Sequence, residues 1–319
     1  MPRALQDEFG IVLSVDEFKS FQKIAPEYLE NHMRQHGAAF VSGFGLDLQE
    51  FIEFTSRFDY EYMEYIGGGA QREINNNDKT VLTATGAEEP GTSVELHGEQ
   101  HYQKSKPDRL FFFCKTPAMV GGETTVCDGI QLYQRIPDSY KKLFEARRIK
   151  YTYTTADGIW QSIYNCKTEH ELIAFMEAKR KDAPDSFAYK FDSKTRNVVT
   201  SYCVFAVNKS NFTNDLAFVN NLIAYRFMDC YQPGNGKPAF FEFSFEDGAP
   251  LTEKMMSEIF EISKPITCGL KWKSGDFVLI DNSRIMHGRR PYDGKDRKVI
   301  VRMAKDKSAM LHRAVRGGS

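Results

Sequence analysis

The sequence predicts a mainly β protein with flanking helices, and three observations carry that prediction. Short runs rich in β-branched and aromatic residues recur between Gly and Pro turn signals: TVLTATG, TSVELHGEQHY, DRLFFFCKTP and GGETTVCDG, and later ITCGLKW, GDFVLIDNS, IMHGRRPY and DRKVIVRMA. Few helical stretches separate these runs, which favours an antiparallel double sheet or barrel over a doubly wound α/β sheet. Aromatic residues make up 13% of the chain, with 25 Phe and 15 Tyr, and flat rings suit packing on pleated faces.

Taken in order, PEYLENHMRQHG has helical periodicity and stops at Gly37; AAFVSGF reads as a strand and LDLQEFIEFTSRF as a second helix. The strand-rich segment follows. IPDSYKKLFEARR is amphipathic with Pro137 near its first turn, and RIKYTYTTADG after it is strand-like. Residues 155–235 mix helical patches such as HELIAFMEAKRK with polar, aromatic-dotted stretches, and read as an insertion or lid over a pocket. KPAFFEFSF then reads as strand and PLTEKMMSEIFEISK as helix before the four closing strands. No repeat, low-complexity tract or linker divides the chain, so residues 1–319 are expected to form a single domain.

With 319 residues, 41% hydrophobic and 27% charged, the chain can bury a sizeable core, which excludes whole-chain disorder. The 42 Lys and Arg against 43 Asp and Glu leave a formal charge of −1, so no bulk field draws it to nucleic acid or membrane. MPRALQDEFGIVLSVDEF has no basic segment followed by a long apolar run, and no stretch approaches a membrane span, so a cytoplasmic location is expected. Cys114, Cys127, Cys166, Cys203, Cys230 and Cys268 are scattered, with no CxxC pair to suggest a disulfide framework or a thiolate zinc site. Gly67-Gly68-Gly69 lacks the context of a phosphate loop and reads as a turn.

Chemistry gathers elsewhere. In a strand, residues two apart share a face, so His97 and Glu99 of VELHGEQHY could converge on one point with metal-ligand spacing. Alone, such a triplet is common on protein surfaces. His287 ends the apolar run GDFVLIDNSRIMHG, placed to bring a third donor to the rim of a core. Two histidines and a carboxylate would take one face of an iron(II) octahedron and leave three positions for a bidentate co-substrate and dioxygen. Gly121-Gly122-Glu123-Thr124-Thr125, with Arg297 and Arg302 of DRKVIVRM, supplies a hydroxyl and guanidinium groups that suit the distal carboxylate of 2-oxoglutarate.

LHGEQHY, PDRLFFFCKTPAMVGGETTVCDG and WKSGDFVLIDNSRIMHGRRPYDGKDRKVIVRMA together resemble the taurine dioxygenase superfamily of iron(II)/2-oxoglutarate oxygenases. They are most like its syringomycin-hydroxylase-like branch, and similar to clavaminate synthase in having Glu rather than Asp in the triad. The resemblance spans residues 25–305 and is weakest over 155–235. It implies a double-stranded β-helix (jelly roll), iron(II) held by His97, Glu99 and His287, Thr124 touching 2-oxoglutarate, and an arginine of the RKVIVR strand on its distal carboxylate. Two features depart from it: Gly98 stands where many relatives have Asn, and Arg302 where branch members tend to have a small residue. Alternation puts Arg297 and Arg302 on opposite faces unless a bulge intervenes, so Arg297 is the expected anchor, with Arg302 supporting it or holding a substrate carboxylate and Lys298 a further candidate.

The implied reaction is dioxygen-dependent decarboxylation of 2-oxoglutarate to succinate, coupled to hydroxylation of an unactivated C–H bond; desaturation, epoxidation and cyclisation are alternatives. The implied substrate is an amino acid or amino-acid-derived small molecule of specialised metabolism, free or presented on a carrier protein. Gln100, His101, Tyr102 and Asn75-Asn76-Asn77 could read it, and Trp160, Tyr164, Tyr202 and Phe205 are lid candidates. A zinc hydrolase would call for HExxH or cysteine ligands, which are absent. A jelly-roll binding protein without turnover is the remaining alternative, and the complete triad argues against it.

Overall fold

The computed structural model describes residues 3–6, 9–66, 72–84, 91–226, 239–294 and 296–307; the triple glycine at 67–69, Cys230 and the last part of the 155–235 segment lie outside the described residues. Among the described residues nine strands form the larger sheet. Its order is Arg3–Gln6, Phe9–Ser14, Ala38–Ser42, Phe277–Asp281, Arg109–Thr116, Lys298–Asp306, Asp78–Thr83 and Ile74–Asn75, with Tyr60–Tyr62 also pairing Lys298–Asp306. A second sheet orders Thr267–Leu270, Thr124–Asp128, Ile285–Arg289 and Val94–His97, all antiparallel.

The run LFFFC shows how the sequence builds these layers. Both faces of the strand Arg109–Thr116 are buried, so its apolar residues are continuous rather than alternating. Phe112 points between the sheets, packing with Val278, Ile280, Val299, Val301 and Met303 of the larger sheet and Val126, Leu270 and Ile285 of the smaller. Phe111 and Phe113 face the other way, under Leu29 and Met33 of the helix Pro26–His36 and Phe51 and Phe54 of the helix Leu48–Thr55. Each buried Phe contributes about 1.5–3 kcal/mol, so this one strand ties three layers together. Pro26 opens the first of these helices, and Asp47 and Glu50 close a capping box on the second.

A third sheet orders Phe187–Phe191, Val198–Val204, Ile149–Thr155 and Ala239–Phe245 and is backed by the helix Glu169–Asp182. Two of its strands come from outside residues 155–235, so the segment read as an insertion completes a sheet rather than looping out alone. Val219 and Asn220 carry it back to the loop after His97: the Gly98 amide donates to the Asn220 carbonyl at 2.9 Å.

Candidate metal centre

The strand Ile285–Arg289 lies between Thr124–Asp128 and Val94–His97, which puts His287 directly across from His97 on one side and Val126 on the other. The two imidazole centroids are 4.3 Å apart, and Phe112 covers His287 at 4.9 Å. Glu99 arrives by a different route from the one its spacing suggests. The strand ends at His97, and residues 99–102 form a turn in which Gln100 takes a left-handed φ of 57°. A clamp, not the pleat, aims the carboxylate. Asn282 accepts from the Glu99 amide at 3.0 Å and donates to the Glu99 and Pro107 carbonyls at 3.0 and 2.8 Å.

Gly98 is explained by its neighbours. A Cβ there would lie 2.5 Å from the His101 ring and 2.7 Å from Val219, so the space a side chain would need is filled by His101. The His101 ring sits with Nδ1 2.9 Å from the Val219 carbonyl and Nε2 2.7 Å from that of Asn282, wedging the turn in place.

The donor atoms of His97, Glu99 and His287 all lie within 4.8 Å of one another. His97 Nδ1 donates to the Glu95 carbonyl at 2.9 Å, which leaves the Nε2 lone pair for a metal. His287 Nε2 lies 3.7 Å from a Glu99 oxygen, and its Nδ1 is buried without a hydrogen-bond partner among the described residues. Burial, reinforced by His97 and the Arg72 cation, holds the His287 pKa well below the ordinary histidine value and keeps the ring neutral, the form that ligates. Two imidazoles and a carboxylate facing one point fit iron(II). Arg72, absent from the sequence reading, donates from Nη2 to both Glu99 oxygens, at 3.0 and 2.9 Å. Burial opposes its charge, but Glu99 and Tyr65 together outweigh that and raise its pKa.

Thr124 shares the face of Val126 and sits across from Arg289, so it extends the same wall away from His287. Its hydroxyl accepts from Trp272 Nε1 at 3.0 Å and from Arg297 at 3.4 Å, which leaves its own proton to donate. Arg297 Nε also donates to the Gly122 carbonyl at 2.8 Å; a Cβ on Gly122, which has a φ of 71°, would come 2.9 Å from the arginine stem. Burial and the neighbouring Arg289 push the Arg297 pKa down to about 10, an environment that a carboxylate would relieve. Arg302 faces the opposite side of the sheet, bonded to Thr55 at 2.6 Å and stacked 3.7 Å over Tyr62. Lys298 reaches Glu73 at 3.2 Å.

The other candidates are placed as follows. Asn75 bonds Thr83 and the Glu73 carbonyl, while Asn76 and Asn77 form a left-handed turn. Gln100 accepts from Gln103, Trp160 is buried and donates to the Arg196 carbonyl, and Phe205 is exposed. Tyr102 and Tyr202 meet edge to face at 5.4 Å, Tyr202 also accepts from Lys179 at 3.0 Å, and Tyr164 is buried near Phe175. Alternation along IMHGR could have flagged Arg289 as sharing the face of His287; no sequence pattern marks Arg72 or Asn282.

The family model of the taurine catabolism dioxygenase TauD, TfdA family matches residues 3–304. The chain belongs to this family. It is similar to a clavaminate synthase-like protein of Arabidopsis thaliana, 24% identical over 92% of this chain and 89% of the relative. It is also similar to the dapdiamide synthesis protein DdaC of Enterobacter agglomerans, 22% identical over 88% and 85%. Among solved structures, PvcB, described as an Fe, alpha-ketoglutarate dependent oxygenase from an isonitrile synthetic pathway, superposes with a TM-score of 0.55 at 14% identity, covering 97% of this chain and 91% of its own; the protein comes from Pseudomonas aeruginosa. As a TauD/TfdA dioxygenase the chain uses Fe(II), 2-oxoglutarate and dioxygen. No helix of the described residues is long and apolar enough to cross a membrane.

Proposed function

We propose that this dioxygenase hydroxylates an unactivated C–H bond of an amino acid or amino-acid-derived molecule in specialised metabolism, free or bound to a carrier. The observation that carries the reading is the meeting of His97, Glu99 and His287 within 4.8 Å, from segments far apart in the chain. In this reading the two sheets that share the Phe112 core are the halves of a jelly roll in one domain, and residues 155–235 act as its lid.

His97 and His287 would hold Fe(II) through imidazole nitrogens and Glu99 through a carboxylate oxygen. An iron bound there would supply the oxidising chemistry by which 2-oxoglutarate and dioxygen give succinate, carbon dioxide and a substrate carrying one more oxygen atom. The protein's part is orientation and exclusion of water. Thr124 donates its hydroxyl proton, and Arg297 its guanidinium hydrogens, to the distal carboxylate of 2-oxoglutarate. Arg302 is committed to Thr55 on the far face, so Arg297 carries the anchoring role. Phe112 and the neutral His287 keep the metal's side of the site apolar, while Asn282 holds the Glu99 backbone so that its carboxylate does not swing.

The relatives DdaC and PvcB, named for dapdiamide synthesis and an isonitrile pathway, support specialised metabolism as the setting. The test is a mass-shift screen of free amino acids, their N-acyl derivatives and carrier-bound forms, with succinate measured in parallel. A one-oxygen gain that requires Fe(II) and 2-oxoglutarate, and that disappears in His97→Ala and Glu99→Ala, is the expected result. Undiminished turnover in either variant would overturn the assignment.

A further inference from the structure

Arg72 is used at only one of its three guanidinium nitrogens. Nη2 holds both Glu99 oxygens, while Nε and Nη1 are buried and make no hydrogen bond among the described residues; the side chain is 8% exposed. Tyr65 partners the guanidinium as well as Glu99 does, as a hydrogen-bonding side chain whose ring lies 4.3 Å from it, and this fixes its plane without meeting Nε or Nη1. The Glu99 oxygen nearest His287 is the one 2.9 Å from Nη2, so these donors stand beside the metal ligands and not in the Arg297 and Thr124 pocket.

Charge makes the two unpaired donors of Arg72 significant. A buried guanidinium needs an anion with good geometry. Glu99 fills that role here, but one carboxylate cannot fully neutralise both a divalent cation and Arg72. The surroundings are aromatic: Tyr102 and Tyr225 lie near both Tyr65 and Glu99, Tyr153 shares a 2.8 Å hydroxyl contact with Tyr225, and Tyr102 meets Tyr153 and Tyr202 edge to face. Flat apolar rings with hydroxyl tips, next to a cation with free donors, suit a small molecule that has a carboxylate and an aromatic or apolar body.

We propose that Nε and Nη1 of Arg72 bind the α-carboxylate of the substrate, so that the substrate is a free acid at that carbon rather than a thioester on a carrier protein. The inference rests on the reading of the site as an Fe(II)/2-oxoglutarate centre. An acyl group tethered through its α-carboxyl has spent that carboxylate in the thioester, so an α-carboxylate site on Arg72 would be left with two donors buried and unmet, which costs binding energy. Arg72 then does two jobs with one group: Nη2 steadies Glu99, and the other edge orients the substrate next to it.

The experiment loads the full chain anaerobically with Fe(II) and 2-oxoglutarate and follows the visible charge-transfer band. It is titrated with matched acids and amides: N-acetyl-L-tyrosine, N-acetyl-L-leucine and 3-(4-hydroxyphenyl)propanoate against their primary amides, with calorimetry as the second readout. At least one acid is expected to bind about tenfold or more tightly than its amide, the lower end of a charge-assisted bond. Arg72→Gln should bring that acid to the level of its amide, and Arg72→Lys should restore part of the difference. Acids and amides that bind alike, an acid preference that survives Arg72→Gln, or no acid binding at all would overturn the anchor. If Arg72→Gln loses the band because Glu99 is released, the wild-type acid–amide comparison decides. Absence of the band in the wild type would instead count against the centre itself.

Discussion

Replacing Asn282 with Ala removes three hydrogen bonds from a side chain that touches no metal ligand donor atom. The Glu99 amide loses its acceptor, and the Glu99 and Pro107 carbonyls lose their donor. Asn282 is fully buried, so water does not readily replace these bonds. At about 1 kcal/mol net for each, the loss is about 3 kcal/mol. Unfolding entropy near 2.1 cal/mol/K per residue turns that into a fall in Tm of about 4–5 °C for a chain of 319 residues. The same bonds hold the turn that carries Glu99, so metal affinity should fall by about 10–100-fold. Asn282→Asp should do worse than Ala at the carbonyls, because it sets an anion against two acceptor oxygens. The assay is thermal unfolding of the metal-free protein together with an anaerobic Co(II) titration by absorption. Wild-type Tm and wild-type metal affinity in Asn282→Ala would refute the clamp.

Three further predictions follow from the same geometry. Arg297→Gln should raise the 2-oxoglutarate concentration needed for half-maximal turnover by about 10–150-fold, the worth of a hydrogen bond to a charged group, with Fe(II) affinity unchanged; an unchanged requirement would refute that anchor. Gly98→Asn should destabilise the fold by about 1–3 kcal/mol through overlap with His101 and Val219, and adding His101→Ala should recover part of the loss in urea denaturation; additive effects would contradict the steric account. Burial pushes the Lys179 pKa down to about 8, so the folded state releases this proton before the unfolded chain does. Its contribution therefore makes stability rise between pH 8 and the unfolded lysine value of about 10.4. Lys179→Met should remove that rise; a wild-type-to-variant difference that is the same at both ends of the window would refute it.

The layers were legible because buried strands have few alternatives. LFFFC and FVLID are too apolar for any surface, and the helix read in PEYLENHMRQHG stops at a left-handed Gly37 as its sequence indicates. The three donors that meet were legible as residue types, but the physical reason for one of them differs. The pleat was expected to bring Glu99 beside His97, whereas the strand ends at His97 and a turn held by Asn282 presents the carboxylate. The alternation argument for Arg297 and Arg302 matches their placement on opposite faces, with a register shift between Lys298 and Val299. Arg72 and Asn282 escaped because their partners are distant in sequence: the contact of Arg72 with Glu99 and that of Asn282 with the same residue exist only once the sheets close. Local periodicity carries no record of such meetings.

The most direct measurement is the visible absorption of the purified protein as Fe(II) and then 2-oxoglutarate are added without oxygen. Three side chains sharing one ferrous ion, with the co-substrate chelating it, should produce a weak charge-transfer band in the wild type that is lost in His287→Ala. A wild type with no band, or a His287→Ala variant whose band is undiminished, would contradict the account at its centre.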